Sequence, residues 1–240
     1  VPAYLQGQTT LDQGVKAMTH ATFSEARREL AGLTAPVERR ALAWLAARMP
    51  PWIGPDQLTA LGLLAMIAAG GSYAASGGAA WMLHLVNLCL LVNWFGDSLD
   101  GTLARYRQRT RPRYGFYVDH MVDAVGVLAL LGGLALSGHM GRGMAAALLI
   151  AYYLLSIHIY LATYVIGTFK LSFGPIGGTE LRLLLAAANL ALLRWPVVPL
   201  FGREYRLFDV LGAFGLAGIL AALATATLRT TLHLHRLERA

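Results

Sequence analysis

Long apolar runs, broken by short polar stretches, dominate the chain from residue 57 onward. Six of them occupy about 57–75, 81–103, 116–136, 143–169, 181–193 (extendable to Val198) and 208–228. Each approaches the roughly 20 residues that a helix needs to cross the hydrocarbon core of a bilayer. Helices are also the form in which separate segments cross with their backbone groups satisfied. Ahead of these runs the pattern changes. Between Pro36 and Met49, the apolar Val37, Leu42, Trp44 and Leu45 alternate with Glu38, Arg39, Arg40 and Arg48. Pro36 suits a first helical turn, and Pro50-Pro51 stops the helix. The pattern predicts a short amphipathic helix lying in the membrane interface, its basic side chains toward lipid headgroups. Residues 1–35 are polar and mixed. Around Glu25, Arg27, Arg28 and Glu29 they read as a surface helix or as partly disordered chain. The expected architecture is therefore all-α and integral to the membrane. It has a polar extension over 1–35, an amphipathic juxtamembrane helix over 36–50, and one domain of six transmembrane helices over 51–240.

Composition strengthens this picture. Of 240 residues, 56% are hydrophobic and only 14% are charged, against about 25% charge in an ordinary soluble domain. A very apolar soluble helical protein would not repeat nearly charge-free runs of this length. The single cysteine, Cys89, lies inside an apolar run; this leaves no disulfide framework and argues against a structural zinc site. Val1 to Met49 holds no long apolar stretch, so no cleavable signal peptide is expected.

Net charge is +7. In a soluble protein that would suggest nucleic acid, but here the basic residues gather at the ends of apolar runs, as cytoplasmic loops require. With both termini inside, sixteen Lys and Arg fall on the cytoplasmic side, five of them from Arg105 to Arg113. Only Arg142, Arg194, Arg203 and Arg206 fall outside. The loop from Arg194 to Arg206 fits the rule least well.

Against this background four acids stand out. Of thirteen Asp and Glu, Asp97, Asp100, Asp119 and Asp123 lie within 27 residues at the edges of two apolar runs. Asp97 and Asp100 are three apart, Asp119 and Asp123 four apart, so each pair shares a helix face. Gly115 lies on the face of the second pair. A short basic loop joins the two helices, which makes them antiparallel neighbours and lets the pairs converge at one depth. Four carboxylates at close range repel one another and take up protons. Hard divalent cations relieve this, because carboxylate oxygen suits magnesium or manganese. Four are enough for a bridged two-ion site, which can clamp a diphosphate and stabilise attacking and leaving oxygens together. Gly101 leaves room beside Asp100, Ala104 keeps the next turn small, and Arg105 offers a bidentate cation to phosphate. Taken singly, each acid pair is ordinary as a helix cap or solvated face, and the arginines as a positive-inside anchor. Their ordered occurrence at membrane boundaries is not ordinary.

The run Asp97-x-x-Asp100-Gly101-x-x-Ala104-Arg105, then nine residues, then Gly115-x-x-x-Asp119-x-x-x-Asp123 resembles the signature of the CDP-alcohol phosphotransferases (CDP-alcohol phosphatidyltransferases). All eight fixed positions match; the spacer is one residue longer than usual. The resemblance implies two magnesium or manganese ions bound by Asp97, Asp100, Asp119 and Asp123. It implies a CDP pocket shaped by Gly101, Ala104, Arg105 and Gly115, with Asp123 also the general base. The implied reaction, part of phospholipid biosynthesis, passes a substituted phosphate from a CDP-alcohol to an acceptor hydroxyl and releases CMP. The implied partners are a CDP-alcohol donor, an alcohol acceptor and membrane lipid, with no nucleic acid. A homodimer follows from the resemblance alone. The family often carries Pro-Asn-x-x-Thr before its first membrane helix. Here the stretch is Pro55-Asp56-Gln57-Leu58-Thr59, and Asp56 reads as a helix cap.

The acceptor is less legible. Asp119-His120-Met121-Val122-Asp123-Ala124 lacks the Asp-Pro-x-x-Asp-Lys of phosphatidylglycerophosphate synthases and the Phe-Gly of the serine branch. Asp119-His120, with Gly174-Pro175 and Thr179-Glu180, resembles the choline/ethanolamine phosphotransferases, whose acceptor is diacylglycerol. A phosphorylated acceptor, as in inositol-phosphate enzymes, would instead use Lys170, Arg182 and the loop Arg107–Arg113. Together these readings nominate His120, Lys170, Glu180 and Arg182 for the acceptor. His84, Asn87, Tyr152, Tyr153, His158 and Tyr160 are polar groups at membrane depth, expected to face the bundle interior in hydrogen-bonded packing roles. The competing reading is a transporter of divalent cations or acidic solutes. It would place its carboxylates at the midplane on discontinuous helices rather than at one edge.

Overall fold

The structure, a computed structural model, describes residues 34–166 and 177–239. Residues 1–33 of the extension expected over 1–35, Lys170 and the Gly174-Pro175 pair lie outside the described residues. Seven helices appear among those described: α1 (Ala35–Arg48), α2 (Pro55–Ser76), α3 (Met82–Tyr106), α4 (Pro112–Leu136), α5 (Arg142–Ile166), α6 (Gly178–Arg194) and α7 (Leu207–Leu237). Proline sets the start of α1, α2 and α4; its fixed φ suits a first turn whose N–H has no partner anyway.

Five helices, α2 to α5 and α7, are long and apolar enough to cross a membrane, and the protein is an integral multi-pass membrane protein. Helix α6 has 17 residues and spans only about 25 Å at 1.5 Å per residue. The chain does not continue it to Val198. Instead Val197–Leu200 and Arg203–Arg206 pair as an antiparallel hairpin, Leu200 opposite Arg203. Phe201 and Gly202 turn the corner with φ of 51° and 77°, the paired positive φ that a two-residue hairpin turn demands. The acid-rich helices also differ from expectation at their ends. Helix α4 begins one turn early, at Pro112, so the basic spacer contains only residues 107–111 as loop. Helix α7 runs nine residues past Leu228.

Helix α2 organises the bundle. It makes the main contacts with both α3 and α4, while α1 and α6 pack on α3, α5 packs on α4, and α7 packs on α5. Two glycine crossings permit this. A Cβ on Gly96 of α3 would lie 2.5 Å from the Leu58 carbonyl oxygen and 2.8 Å from the Gly62 nitrogen. A Cβ on Gly133 of α4 would overlap the Gly70 carbonyl. Small residues let backbones approach where lipid supplies no hydrophobic drive. Consequently the helices carrying the two acid pairs are each held against α2, rather than chiefly against each other.

Two apolar clusters close the ends. At the acid end Leu42, Ala46, Leu58, Leu99 and Leu103 pack together; at the other, Tyr73, Val86, Leu90, Leu134, Leu192 and Phe208. Buried polar groups are matched in series. Tyr73 donates to Asn189 at 2.7 Å, Asn189 to Asn87 at 2.7 Å, and Asn87 to the Ala186 carbonyl at 3.3 Å. Asn87 thus has the packing role expected of it. Tyr153 does as well, donating to the Ala124 carbonyl at 3.0 Å. His84 does not: it is exposed on the outer face of α3.

Helix α1 has one buried and one exposed face. Its buried face is Ala35, Glu38, Leu42 and Ala46, spaced at three and four, whereas Val37 and Trp44 are exposed. An acid sits in the seam with α3, because three donors meet it there, as described next.

Candidate active site

The acids come together at the end of the bundle where α3 finishes and α4 begins. One carboxylate oxygen each from Asp97, Asp119 and Asp123 lies within 4.8 Å of the others. The i, i+4 spacing puts Asp119 and Asp123 on one stripe of α4, and the shared packing on α2 brings that stripe to Asp97. Asp100 stands outside this trio, within electrostatic reach of Asp97 and Asp119. Its Oδ2 accepts from Thr59 Oγ1 at 2.5 Å and its Oδ1 from the Gly101 N–H at 2.5 Å. Close half-buried carboxylate oxygens form a hard donor set, which fits a divalent cation of the magnesium or manganese type.

A second tier fixes these groups. Arg182 of α6 reaches into α3: its Nη2 donates to Asp97 Oδ2 at 2.6 Å and its Nε to Asn93 Oδ1 at 2.8 Å. Asn93, one turn before Asp97, donates in turn to the Gly62 carbonyl of α2 at 3.1 Å. The Arg182–Asp97 pair is largely buried, with side chains 20% and 17% exposed. Glu38 Oε1 of α1 accepts from Trp94 Nε1 at 2.8 Å, Thr179 Oγ1 at 2.8 Å and Ser98 Oγ at 3.3 Å. Glu180 returns the connection. Its Oε1 accepts from the Thr34 N–H at 2.9 Å and the Thr34 hydroxyl at 2.8 Å, its Oε2 from the Gly177 N–H at 2.8 Å.

The remaining expected site residues take particular places. The Arg105 guanidinium lies over Gly101, where an added Cβ would come within 3.4 Å of its Nη1, and it donates to Thr102 Oγ1 at 3.3 Å. Among the described residues, the only atoms near that position are those of the Arg105 guanidinium, the far end of a flexible side chain. Gly115 faces open space in the first turn of α4. Ala104 lines a cleft of about 350 Å³ together with Trp52, Asp56, Gln57, Arg107 and Arg109. Asp56 is not the cap of α2. Gly54 holds that position, its N–H bonded to the Gln57 side chain at 2.5 Å, and Asp56 pairs with Arg111.

Among the described residues nominated for an acceptor, His120, Glu180 and Arg182 each have partners within the protein. His120 Nδ1 lies 2.6 Å from the Phe116 carbonyl, and its ring meets Tyr160 of α5 edge-on at 5.0 Å. Glu180 is held by Thr34 and Gly177, and Arg182 by Asp97 and Asn93. The loop arginines are also committed in part. Arg107 donates to the carbonyls of Ile53, Pro50 and Met49 at 2.6, 2.8 and 3.2 Å. Reading the sequence missed Thr59, Asn93 and Glu38. Thr59 carried a signal in its fixed offset from Pro55, and Asn93 in lying one turn ahead of Asp97. Glu38, flanked by arginines on a surface-like helix, carried none.

A bundle of apolar helices with half-buried acids gathered at one end is the architecture of a multi-pass membrane protein with a polar site at its rim. The chain belongs to the CDP-alcohol phosphatidyltransferase family, whose model matches residues 52–227. It is 32% identical over 124 residues to a CDP-diacylglycerol–serine O-phosphatidyltransferase of Encephalitozoon cuniculi, covering 50% of this chain and 32% of that protein. It is 28% identical over 183 residues to cholinephosphotransferase 1 of Gallus gallus, covering 70% of this chain and 54% of the relative. For cholinephosphotransferase 1 of Danio rerio the figures are 26% over 186 residues, 72% and 48%. The matches thus span about half or less of the relatives' own lengths.

Proposed function

We propose that the protein is a membrane phosphotransferase of phospholipid biosynthesis. It moves a substituted phosphate from a CDP-alcohol to the hydroxyl of an acceptor alcohol and releases CMP. The observation that carries this is the convergence of Asp97, Asp119 and Asp123 within 4.8 Å in a chain of this family.

Asp97, Asp100, Asp119 and Asp123 would hold two divalent ions. Bound there, the ions would neutralise the diphosphate and lower the pKa of the attacking hydroxyl. Gly101, Ala104, Arg105 and Gly115 border the nucleotide. The cleft beside Ala104 receives part of it, and Arg105 supplies charge to phosphate. Asp123 takes the proton of the acceptor hydroxyl. The freed oxygen forms its bond to the β-phosphorus as the bond from that phosphorus to the bridging oxygen breaks, and CMP leaves with that oxygen. Thr59 holds one face of Asp100, so that carboxylate keeps a fixed orientation while its neighbours act.

The acceptor is an uncharged lipid alcohol of the diacylglycerol kind, with a choline- or ethanolamine-type donor. Two of the relatives are cholinephosphotransferases aligned over 70% and 72% of this chain. In addition Arg107, Arg111 and Arg182, which a phosphorylated acceptor would use, are bonded to backbone, Asp56 and Asp97. Helix α6 counts as the sixth crossing. Six crossings would put both termini on one face with the acids, and sixteen basic residues against four favour the cytoplasm for that face. Helix α1 lies along that face with Val37 and Trp44 toward lipid.

The test is CMP release by the purified protein with magnesium, a panel of CDP-alcohols, and diacylglycerol or inositol phosphate as acceptors. CMP with diacylglycerol, abolished by EDTA and restored by Mg2+ or Mn2+, is the expected result. No CMP from any pair would sink the enzyme reading, and full turnover in EDTA would sink the metal requirement.

A further inference from the structure

Nothing in the proposed chemistry requires Arg182, Glu38 or Glu180, yet these three charges are fully engaged near the site. Arg182 spends Nε and Nη2 on two side chains one helical turn apart, Asn93 and Asp97. Two donors on a planar guanidinium fix its plane as well as its position. One oxygen of Asp97 is thereby committed to Arg182, and the carboxylate cannot rotate freely about its last bond. Where Arg182 can stand depends on α6, whose first turn lies two and three residues earlier. That turn is tied to α1 in both directions: Thr179 donates to Glu38, and Thr34 donates twice to Glu180. Glu38 is anchored to α3 as well, through Trp94 and Ser98, and is only 8% exposed. A buried carboxylate with three donors is costly to disturb, because any donor it drops is left unpaired.

We propose that Arg182 is a positioning residue of the carboxylate centre, and that Glu38 and Glu180 form a clasp between α1 and α6 that sets its reach. The juxtamembrane helix α1 would then govern how well Asp97 is presented to a divalent ion, although α1 itself supplies no ligand. This rests on the metal reading given above. Outer partners of metal ligands act in this way by fixing ligand orientation.

The experiment measures Mn2+ binding to the full chain in detergent by electron paramagnetic resonance, together with kcat and KM for CMP release. In Arg182→Gln, Mn2+ affinity should fall about tenfold or more, the range seen when outer partners of metal ligands are removed. Arg182→Lys, which keeps the charge but not the two-point geometry, should recover part of the loss. Thr179→Val removes one tie of the clasp and leaves Glu38 bonded to Trp94 and Ser98. It should weaken Mn2+ binding in the same direction by a smaller factor. Affinities within about twofold of wild type in both Arg182 variants, outside the range for such partners, would overturn the positioning role while leaving the metal reading intact. An effect in Arg182→Gln without any in Thr179→Val would overturn the clasp. Absence of Mn2+ binding in the wild type would overturn the metal reading and the positioning role with it.

Discussion

Thr59 of α2 donates its hydroxyl to Asp100 of α3 at 2.5 Å, across the crossing where Gly96 lets the two helices touch. The bond ties an acid of the site to a helix that carries none of them. Thr59→Val keeps the shape and removes the donor. Turnover should fall about tenfold, as for other partners one step removed from a metal ligand, while Thr59→Ser should retain most of it. Steady-state CMP release checks this; equal rates in Val and Ser variants would show that the hydroxyl is idle.

Asp123 is assigned two duties, ligand and base, and Asp97 one. Asp123→Asn should lower turnover by a factor of about 10²–10⁴, the usual worth of a positioned base, while CDP binding weakens far less. Asp97→Asn should weaken nucleotide and Mn2+ binding together. Calorimetric titration with CDP beside CMP-release assays separates the two, and parallel losses in Asp123→Asn would reduce that residue to a ligand.

Neighbouring glycines of α4 should respond differently to one methyl group. A Cβ on Gly133 overlaps the Gly70 carbonyl, whereas one on Gly132 meets nothing within 4 Å. Gly133→Ala should destabilise the bundle by about 1–3 kcal/mol, the scale of overpacking in a tight interior. It should also cost activity, because α2 and α4 together aim Asp119 and Asp123. Gly132→Ala should be silent in both. Thermal unfolding in detergent, read alongside turnover, makes the comparison.

His139, in the loop between α4 and α5, has its Nε2 3.0 Å from Ser76 Oγ, and burial holds its pKa below the ordinary value. The folded state therefore prefers the neutral ring, whereas the unfolded chain takes up a proton near pH about 6.5. The contribution of His139 is complete above that pH and is lost as pH falls toward the lower folded value. The wild type should lose stability relative to His139→Gln between pH 7 and pH 5, and a constant gap between them would contradict the assignment.

Much of this was readable in advance because the determinants are local. The runs over 57–75 and 81–103 became α2 and α3 nearly at their expected bounds, since length and apolarity alone decide such helices. The spacing of the four acids placed each pair on one helix face without any knowledge of packing. What could not be read depends on partners distant in sequence. Glu38 looks like a solvated acid among arginines until Trp94 and Thr179 arrive from helices 56 and 141 residues away. Arg182 looks like a cation for a phosphorylated acceptor until α6 packs on α3 and brings it to Asp97 and Asn93. The hairpin after α6 was hidden for another reason. Its turn is Phe201-Gly202, and a bulky residue at positive φ is not a turn signal.

Arg107 carries a lesson about counting charges. The segment Met49 to Pro55 holds three prolines, so it is short of backbone donors and leaves carbonyls in want of partners. One guanidinium from the end of α3 satisfies three of them. By topology rules the five arginines from Arg105 to Arg113 are interchangeable units of positive charge. By geometry they are not: a lysine at 107 would keep the sum and lose the fork. Arg105 lies over Gly101, Arg109 lines the cleft beside Ala104 and Arg111 pairs with Asp56, so equal charges in this block hold unequal places.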